Sequence, residues 1–451
     1  MSSRKLVSVV VATSPCTGSP RAAIDSVLAQ TYAALELIVV DGARVAEARR
    51  RALRAARGEY VTFLDAADLM RPAKIARQAA LLDANPRLGA VHCRHHVVDA
   101  AGRVIETVGR QPDGDLRVQL LQTCLPWSGG PLVRRDILLR IAEDERPHWL
   151  GDWGMWLRVA LSGNDFGCVQ EPLGCRRVRP DPLTADAVAR RERTVFELLE
   201  EVYRRWALPA EAMARRERIH AGWHFRLGCD YASVGDGNGA ARSFARVAAL
   251  CPAWSDAPGP MLDLLHAEAI SPRARARDAV RLVETVLDHL PSAFDRARSA
   301  RASLLGRVHV ALASDAHAAG DRIAVREHLE SAIRADPQLL AAPDRFAADL
   351  VGHARRVAAG DPRGFVLRVL DALPPPARAI TEARSLALAE IAVAEAIRDY
   401  RMPRARCRKA GAAPGAAAHR TELLLGAPRR VSGRVVDRLR QPNPVRRATS
   451  A

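Results

Sequence analysis

Gly58-Glu-Tyr-Val-Thr-Phe-Leu-Asp65-Ala-Ala-Asp68-Leu-Met-Arg-Pro72 carries the clearest structural pattern in this sequence. A run of β-branched and aromatic residues stops at two carboxylates, and proline follows, a residue favoured at the first position of a helix. The pattern predicts a buried strand ending at Asp65 and a helix beginning at Pro72. In open sheets, ligands bind at the carboxyl ends of parallel strands. Asp65 and Asp68 are therefore predicted to border a site for a metal-bridged diphosphate or for sugar hydroxyls.

Strand and helix patterns alternate through the first 190 residues. Predicted strands at 6–11, 35–40 and 60–64 are separated by helical patterns at 20–30 and 45–56, and a third helix is predicted at 72–85. Such alternation is typical of an α/β domain with a parallel sheet. Two further strands flank Asp99-Ala-Ala-Gly102, a turn sequence that predicts a hairpin. We predict one α/β domain over residues 1–190.

From residue 195 onward the patterns are helical only. Gly235-Asp236 and Gly320-Asp321 are each followed by a proline, Pro252 and Pro337, with apolar residues at helical spacing between them. Glycine commonly ends one helix, and such spacing is typical of helical hairpins. We predict an all-α domain over residues 195–402 that resembles tetratricopeptide-type repeats. The alternative is an ordinary helical bundle.

Residues 403–451 are predicted to form a basic, disordered tail. Residues 401–451 hold thirteen of the arginines and lysines against Glu422 and Asp437, which gives this segment +11 of the chain's net charge of +17. The open alternatives are a solvated tail and a short basic helix at 430–440 on anionic lipid. Specific nucleic-acid binding is not expected, because aromatic residues make up only 4% of the chain and stacking platforms need them.

The chain also carries features that bear on its compartment. It has no apolar run of membrane-spanning length, its N-terminus reads as a first strand, and its eight cysteines are scattered. These features predict a cytoplasmic protein, with peripheral attachment at the inner face of the plasma membrane as the alternative.

Several segments, in this order and spacing, resemble the family 2 inverting glycosyltransferases of the GT-A fold. The segments are Val7–Thr13, Ser26–Thr31, Leu37–Asp41, Ala48-Arg49, Ala55–Asp65, Gly151–Arg158 and Arg177–Thr184. The resemblance covers about 180 residues and implies a GT-A nucleotide-sugar-binding domain.

The resemblance also assigns roles to single residues. Thr13 and Asp41 fall where the family holds the nucleotide base and ribose. Asp65 and Asp68 fall in its aspartate motif, which binds the sugar and the metal-bound diphosphate of the donor. Asp152 falls where the family places its general base.

Two further residues are assigned to the substrates. Arg49 is predicted on the donor side, and Trp153 on the acceptor side, either stacking on a sugar or forming a wall of the cleft.

The sequence departs from the family at the expected metal site. Ala67 stands where the family has its metal-coordinating aspartate, Gly42 replaces a second acid, and Arg179 stands where a histidine is common. The loop 41–49 is also short. The resemblance implies Mn²⁺ or Mg²⁺, and Asp65 and Asp68 remain as candidate ligands. Alternatively, the fixed cations Arg49 or Lys74 offset the diphosphate charge.

Two functions from different classes follow from these observations. The first is transfer of a sugar from a nucleotide-diphosphate sugar to an acceptor hydroxyl with inversion, in bacterial surface glycan synthesis or protein glycosylation. Its acceptor is a glycan, a lipid-linked molecule or a protein. The alternative is a catalytically degenerate transferase-like protein that binds a protein partner through its helical repeats, whose surfaces are typically concave.

Overall fold

The computed structural model describes residues 4–13, 19–41, 45–127, 129–142, 152–178, 183–271, 278–318, 320–340, 350–351 and 362–371. The side chains of Asp41 and Asp152 lie outside this description, as do Gly42, Arg179 and the predicted tail. The chain divides into two compact units, one reaching to Val308 and the other beginning at His309.

One mixed sheet forms the centre of the first unit. Its strands, in the described residues, are β1 (Val7–Thr13), β2 (Leu35–Asp41), β3 (Tyr60–Asp65), β4 (Leu69–Met70), β5 (Leu88–Val98), β6 (Val104–Thr107), β7 (Leu132–Arg134) and β8 (Asp165–Arg177). The strand order is β2-β1-β3-β7-β5-β8-β4, and β6 pairs with β5. The predicted hairpin is confirmed, with Gly102 at a φ of 84° in its turn.

The sheet is only partly parallel, which corrects the prediction of a parallel sheet. Strands β1, β2 and β3 run parallel, while β7 is antiparallel to both β3 and β5, and β5 is parallel to β8. The two reversals at β7 cancel. The carboxyl ends of β1, β2, β3, β5 and β8 therefore all lie at the same edge of the sheet.

The connection from β3 to β4 shows that the sheet curls. Four strand spacings separate these strands in the order of the sheet, roughly 19 Å if the sheet were flat. The four-residue step from Asp65 to Leu69 spans at most about 14 Å. The β8–β4 end of the sheet must therefore bend back toward the carboxyl end of β3.

Helices cover both faces of the sheet. Val9 and Val11 of β1 pack with α1 (Arg21–Leu28) and α3 (Lys74–Ala84), while Val10 packs on the opposite face. A strand buried on both faces needs a continuous apolar run, which residues 9–12 of β1 supply. Helix α3 begins at Lys74 and not at Pro72 as predicted; the Pro72 carbonyl accepts a hydrogen bond from the Thr31 N–H at 2.9 Å.

The opposite face is covered by helices from both halves of the predicted domain division. They are α2 (Val45–Ala55), α4 (Arg117–Gln122), α5 (Arg135–Ala142), α6 (Asp152–Leu161), α7 (Ala185–Arg205), α8 (Ala210–Ala214) and α9 (Arg216–Ser233). Helix α7 runs through residues 190–195, and its buried face joins the same core as Phe63 and Trp156.

The remaining described helices follow in chain order. They are α10 (Gly237–Leu250), α11 (Ala253–Asp256), α12 (Gly259–Ala269), α13 (Ala279–His289), α14 (Asp295–Ser299), α15 (Arg301–Ala318), α16 (Arg322–Ala335) and α17 (Pro362–Asp371). None of the helices in the described ranges combines the length and the apolar character that a membrane crossing requires.

Both Gly-Asp pairs lie in turns between helices, as the spacing predicts. Gly235 and Gly320 have φ of 76° and 79°, a conformation that favours glycine. The side chains of Asp236 and Asp321 then accept hydrogen bonds from the first turns of α10 and α16. Among the described residues, these turns therefore join α9 to α10 and α15 to α16. That these helices resemble tetratricopeptide-type repeats stays a prediction.

Candidate functional site

Three strand ends meet at the predicted edge of the sheet. Thr13 at the end of β1 is the register partner of Asp41 at the end of β2, and Ala12 is the partner of Asp65 at the end of β3. The Thr13 hydroxyl donates to the Val40 carbonyl at 3.3 Å. The backbone therefore brings together the three positions that the sequence assigns to nucleotide and donor binding, although what each residue binds stays a prediction.

The turn after β3 is held by Asp65. Its Oδ1 accepts the Ala67 N–H at 3.1 Å, and its carbonyl accepts the Asp68 N–H at 3.0 Å. The turn places Ala67, half-buried, between the two acids. A methyl group thus occupies the position where a third carboxylate was expected.

Asp68 is buried, with 5% of its surface exposed, and both of its oxygens accept hydrogen bonds. The indole N–H of Trp127 donates to Oδ2 at 2.7 Å, and the Arg177 backbone N–H donates to Oδ1 at 2.9 Å. Burial raises the pKa of Asp68 to about 6, although both hydrogen bonds act in the opposite direction. Asp68 thereby joins the turn to the end of β8 and to the segment that carries Trp127.

These residues do not fit the metal site that the resemblance implies. A hard cation needs several accessible oxygen ligands, yet Asp68 is enclosed by its own donors and Ala67 offers no oxygen. Within the described ranges, no three histidine, cysteine, aspartate or glutamate residues are grouped so that they can hold a metal ion. Asp68 as a metal ligand is therefore a prediction that the geometry does not support.

Lys74 cannot offset the charge of a diphosphate in this structure, which corrects that alternative. Its side chain is fully buried, and Nζ donates to Gln78 Oε1 at 2.9 Å. Burial lowers the pKa of Lys74 to about 8. The amide of Gln78 in turn donates to the carbonyls of Val91 and Gly130, so the pair belongs to the interior between α3 and the sheet.

Arg49 lies in the second turn of α2, packed against the sheet. It is 6% exposed, and its guanidinium carbon lies 5.4 Å from the centre of the Phe63 ring. A small, largely apolar cavity beside it is lined by Leu53, Ile141 and Met155. Its role on the donor side stays a prediction.

Asp152 begins α6, the helix that packs against α4 and α5. The next residue, Trp153, donates from its indole N–H to the Leu120 carbonyl at 2.6 Å. Its ring centre lies 4.6 Å from that of Trp223. These contacts favour the wall role of Trp153 over stacking on a sugar.

Trp127, which donates a hydrogen bond to Asp68, was not predicted from the sequence as a site residue. Its ring centre lies 5.1 Å from that of His95, which is the register partner of Gly174. A Cβ at Gly174 or at Gly129 would stand 2.4 Å from the ring, so both glycines make room for it. The Gly129-Gly130 pair after a lone tryptophan was the available signal.

Sequence comparisons connect this part of the chain to known proteins. Residues 42–138 match the family described as Glycosyl transferase family 2. An uncharacterized glycosyltransferase, alr2836, of Nostoc sp. (strain PCC 7120) is 26% identical over 162 residues, which cover 28% of this chain and 50% of the relative. The chain thus spans about half the length of that curated relative.

Two solved structures are similar at lower identity. S. aureus TarS 1–349 in complex with UDP-GlcNAc is 15% identical, with a TM-score of 0.41, over 66% of this chain and 92% of that one. The mannosyltransferase PcManGT from Pyrobaculum calidifontis, in complex with GDP-Man and Mn²⁺, is 19% identical, with a TM-score of 0.33, over 64% of this chain and 88% of that one.

Proposed function

Since residues 42–138 match glycosyl transferase family 2, we propose that this chain is an inverting glycosyltransferase that uses a nucleotide-diphosphate sugar. The observation that carries the proposal is the register of Thr13, Asp41 and Asp65 at the ends of three adjacent parallel strands. Such an edge is where open sheets bind nucleotides. The acceptor we propose is a hydroxyl of a glycan, a lipid-linked molecule or a protein, in bacterial surface glycan synthesis or protein glycosylation.

The proposed reaction is a single displacement at the anomeric carbon. The acceptor oxygen forms a bond to that carbon while the bond to the diphosphate oxygen breaks, and the nucleoside diphosphate leaves with the electron pair. Asp152, at the start of α6, takes the proton of the acceptor hydroxyl. A positioned base of this kind typically contributes about 10²–10⁴-fold in rate.

Replacement of Asp152 by asparagine tests the base. Asparagine retains the ability to cap a helix but cannot accept the proton. We expect Asp152→Asn to lower the turnover number at least about 100-fold with little effect on donor binding or on the melting temperature. The assay is sugar transfer or donor hydrolysis by the full chain with a panel of nucleotide sugars.

Asp278→Asn is the matched control, because Asp278 caps α13 through the Arg281 N–H at 3.1 Å and stands outside the proposed site. It is expected to retain full activity. Equal activity of Asp152→Asn and the wild type would remove Asp152 from the mechanism.

The alternative function is that of a degenerate transferase-like domain that acts in binding. Ala67 and the enclosed Asp68 favour it, because they remove two acids from the motif. Calorimetry with uridine and guanosine diphosphate sugars, with and without Mn²⁺, separates the two proposals. Failure of every donor to bind would favour the degenerate domain, and turnover of any donor would exclude it.

A further inference from the structure

We propose that the site holds the diphosphate of the donor without a divalent ion, and that Arg71 and Arg177 supply the positive charge instead. This inference rests on the proposed function, since it presumes a nucleotide-diphosphate donor. It follows from two independent features of the curled sheet. The carboxylate expected to bind the metal already accepts hydrogen bonds on both oxygens, and arginine side chains lie near the same turn.

The first feature is that Asp68 is occupied on both sides. Its two oxygens accept from Trp127 at 2.7 Å and from the Arg177 backbone at 2.9 Å, and it is 5% exposed. Metal binding would require it to give up these donors and to leave its buried position. Losing a hydrogen bond to a buried charged group is costly. Asp68 is therefore a positioning residue that fixes the turn.

The remaining members of the motif offer one carboxylate only. Ala67 has no ligand atom, and Oδ1 of Asp65 already accepts the Ala67 N–H at 3.1 Å. Magnesium sites with one carboxylate depend on phosphate and water for the rest of the shell. The turn therefore offers few ligand atoms to hold an ion, and cations of the protein can balance the charge of the diphosphate instead.

The second feature is the position of Arg177. Its Nε donates to the Ala67 carbonyl at 3.3 Å, and its Nη1 donates to the carbonyls of Asp99 and Ala100 at 2.9 and 2.7 Å. The guanidinium thus lies against the turn that joins Asp65 to Asp68. Carbonyl acceptors orient this cation without neutralising its charge.

A second cation lies on the same face of the sheet as Arg177. His96, which Arg71 contacts, is the register partner of Cys175, two residues before Arg177. Arg71 follows β4, is exposed, and places Nη1 3.3 Å from His96 Nε2. Within the described ranges, neither the Arg71 nor the Arg177 guanidinium has a carboxylate within 4.0 Å. Fixed guanidinium groups bind phosphate oxygens through charge-assisted hydrogen bonds.

Calorimetric titration of the full chain with UDP and with GDP tests the proposal, each in EDTA and in Mn²⁺. We expect at least one of them to bind with the same dissociation constant, within about twofold, in both buffers. We also expect Arg71→Gln to weaken that binding about tenfold or more, as the loss of a charge-assisted hydrogen bond does. Arg77→Gln is the matched control, because Arg77 pairs with Glu171 at 3.7 Å, and it should bind as the wild type does.

Ala67→Asp provides a second test that does not depend on the arginines. It places the missing carboxylate beside Asp65 and should make nucleotide binding at least tenfold tighter in Mn²⁺ than in EDTA, while the uncharged Ala67→Asn should not. Binding of the wild type only in Mn²⁺ would overturn this inference and leave the proposed function standing. Binding of neither nucleotide in either buffer would instead count against the proposed function, and the inference would fall with it.

Discussion

At the scale of single residues, Asp68 is a charged group that the fold holds at a cost. Burial raises its pKa to about 6 from the ordinary value of 3.8. The folded state therefore binds this proton more tightly than the unfolded state does. The contribution of the group to stability is highest at low pH and declines as pH rises from about 4 to about 6.

Asp68→Asn removes this dependence. The free energy of unfolding of the wild type relative to the variant should fall by about 2 kcal/mol between pH 4 and pH 7. Urea unfolding at the two pH values measures it.

Glu36→Gln is a contrasting variant. Burial would raise the pKa of Glu36, but hydrogen bonds from Ser8, Arg57 and Gly58 outweigh it and hold the pKa at about 2. The stabilisation that Glu36 provides is therefore lost on acidification. The free energy of unfolding of the wild type relative to Glu36→Gln should rise between pH 4 and pH 7.

Lys74 carries the opposite charge, and burial shifts its pKa in the opposite direction. Burial lowers its pKa to about 8 from 10.5, so the folded state prefers the neutral amine. Stability from this group is lowest below pH 8 and recovers as pH rises toward 10.5. We expect Lys74→Met to be more stable than the wild type at pH 7, by about 1–2 kcal/mol after the loss of the bond to Gln78. Urea unfolding at pH 7 and pH 10 should show this gain shrinking; a gain that grows with pH would contradict the sign.

The strand-end acids could be predicted from the sequence, but their partners could not. The end of the apolar run at Asp65 can be recognised from the neighbouring residues alone. The contact between Asp68 and Trp127 joins residues 59 positions apart, and nothing in the local pattern encodes it. Lys74 misled for a related reason, because a lysine at the start of an amphipathic helix normally faces solvent.

At the scale of elements, the packing of α9 against α10 depends on one glycine. A Cβ at Gly228 would stand 2.4 Å from the ring of Phe244, whereas a Cβ at Gly222, in the same helix, meets nothing within 4 Å. Gly228→Ala should therefore destabilise the protein by about 1–3 kcal/mol through overpacking. Gly222→Ala should stabilise it by up to about 1 kcal/mol through helix propensity. Thermal unfolding followed by circular dichroism compares the two, and an equal effect of both would contradict the close approach of α9 and α10.

The sequence predicted the elements better than their grouping. Strands β1, β2, β3, β5 and β6 and both Gly-Asp turns are specified by neighbouring residues and were predicted, whereas β4, β7 and β8 were not. The border at 190–195 was inferred from a change of pattern, yet α7 runs through it. Periodicity shows that a helix has an apolar face and does not show which core receives that face.

At the scale of the whole molecule, the sheet and the first helices after it share one core. Val195, Leu198 and Val202 of α7 belong to the cluster that contains Phe63 and Trp156. From α9, the Trp223 indole N–H donates to the Leu121 carbonyl and Arg226 Nη1 donates to the Gln122 carbonyl, each at 2.7 Å. These two bonds satisfy carbonyls at the C-terminal end of α4, which no residue of the helix itself can pair.

A fragment that ends at residue 190 should therefore not fold as an independent domain. It would expose one face of the core and leave the end of α4 without its donors, at a cost of about 25 cal/mol for each Å² of apolar surface exposed. We expect the 1–190 fragment to bind a hydrophobic dye, to lack a cooperative thermal transition and to be inactive, whereas the full chain unfolds cooperatively. A point substitution tests the contact between α9 and α4 without removing any part of the chain. In the full chain, Trp223→Phe removes the indole donor and part of the buried ring, and should lower stability by about 2 kcal/mol. Cooperative unfolding of the 1–190 fragment would show that the sheet and α7–α9 form separate folding units.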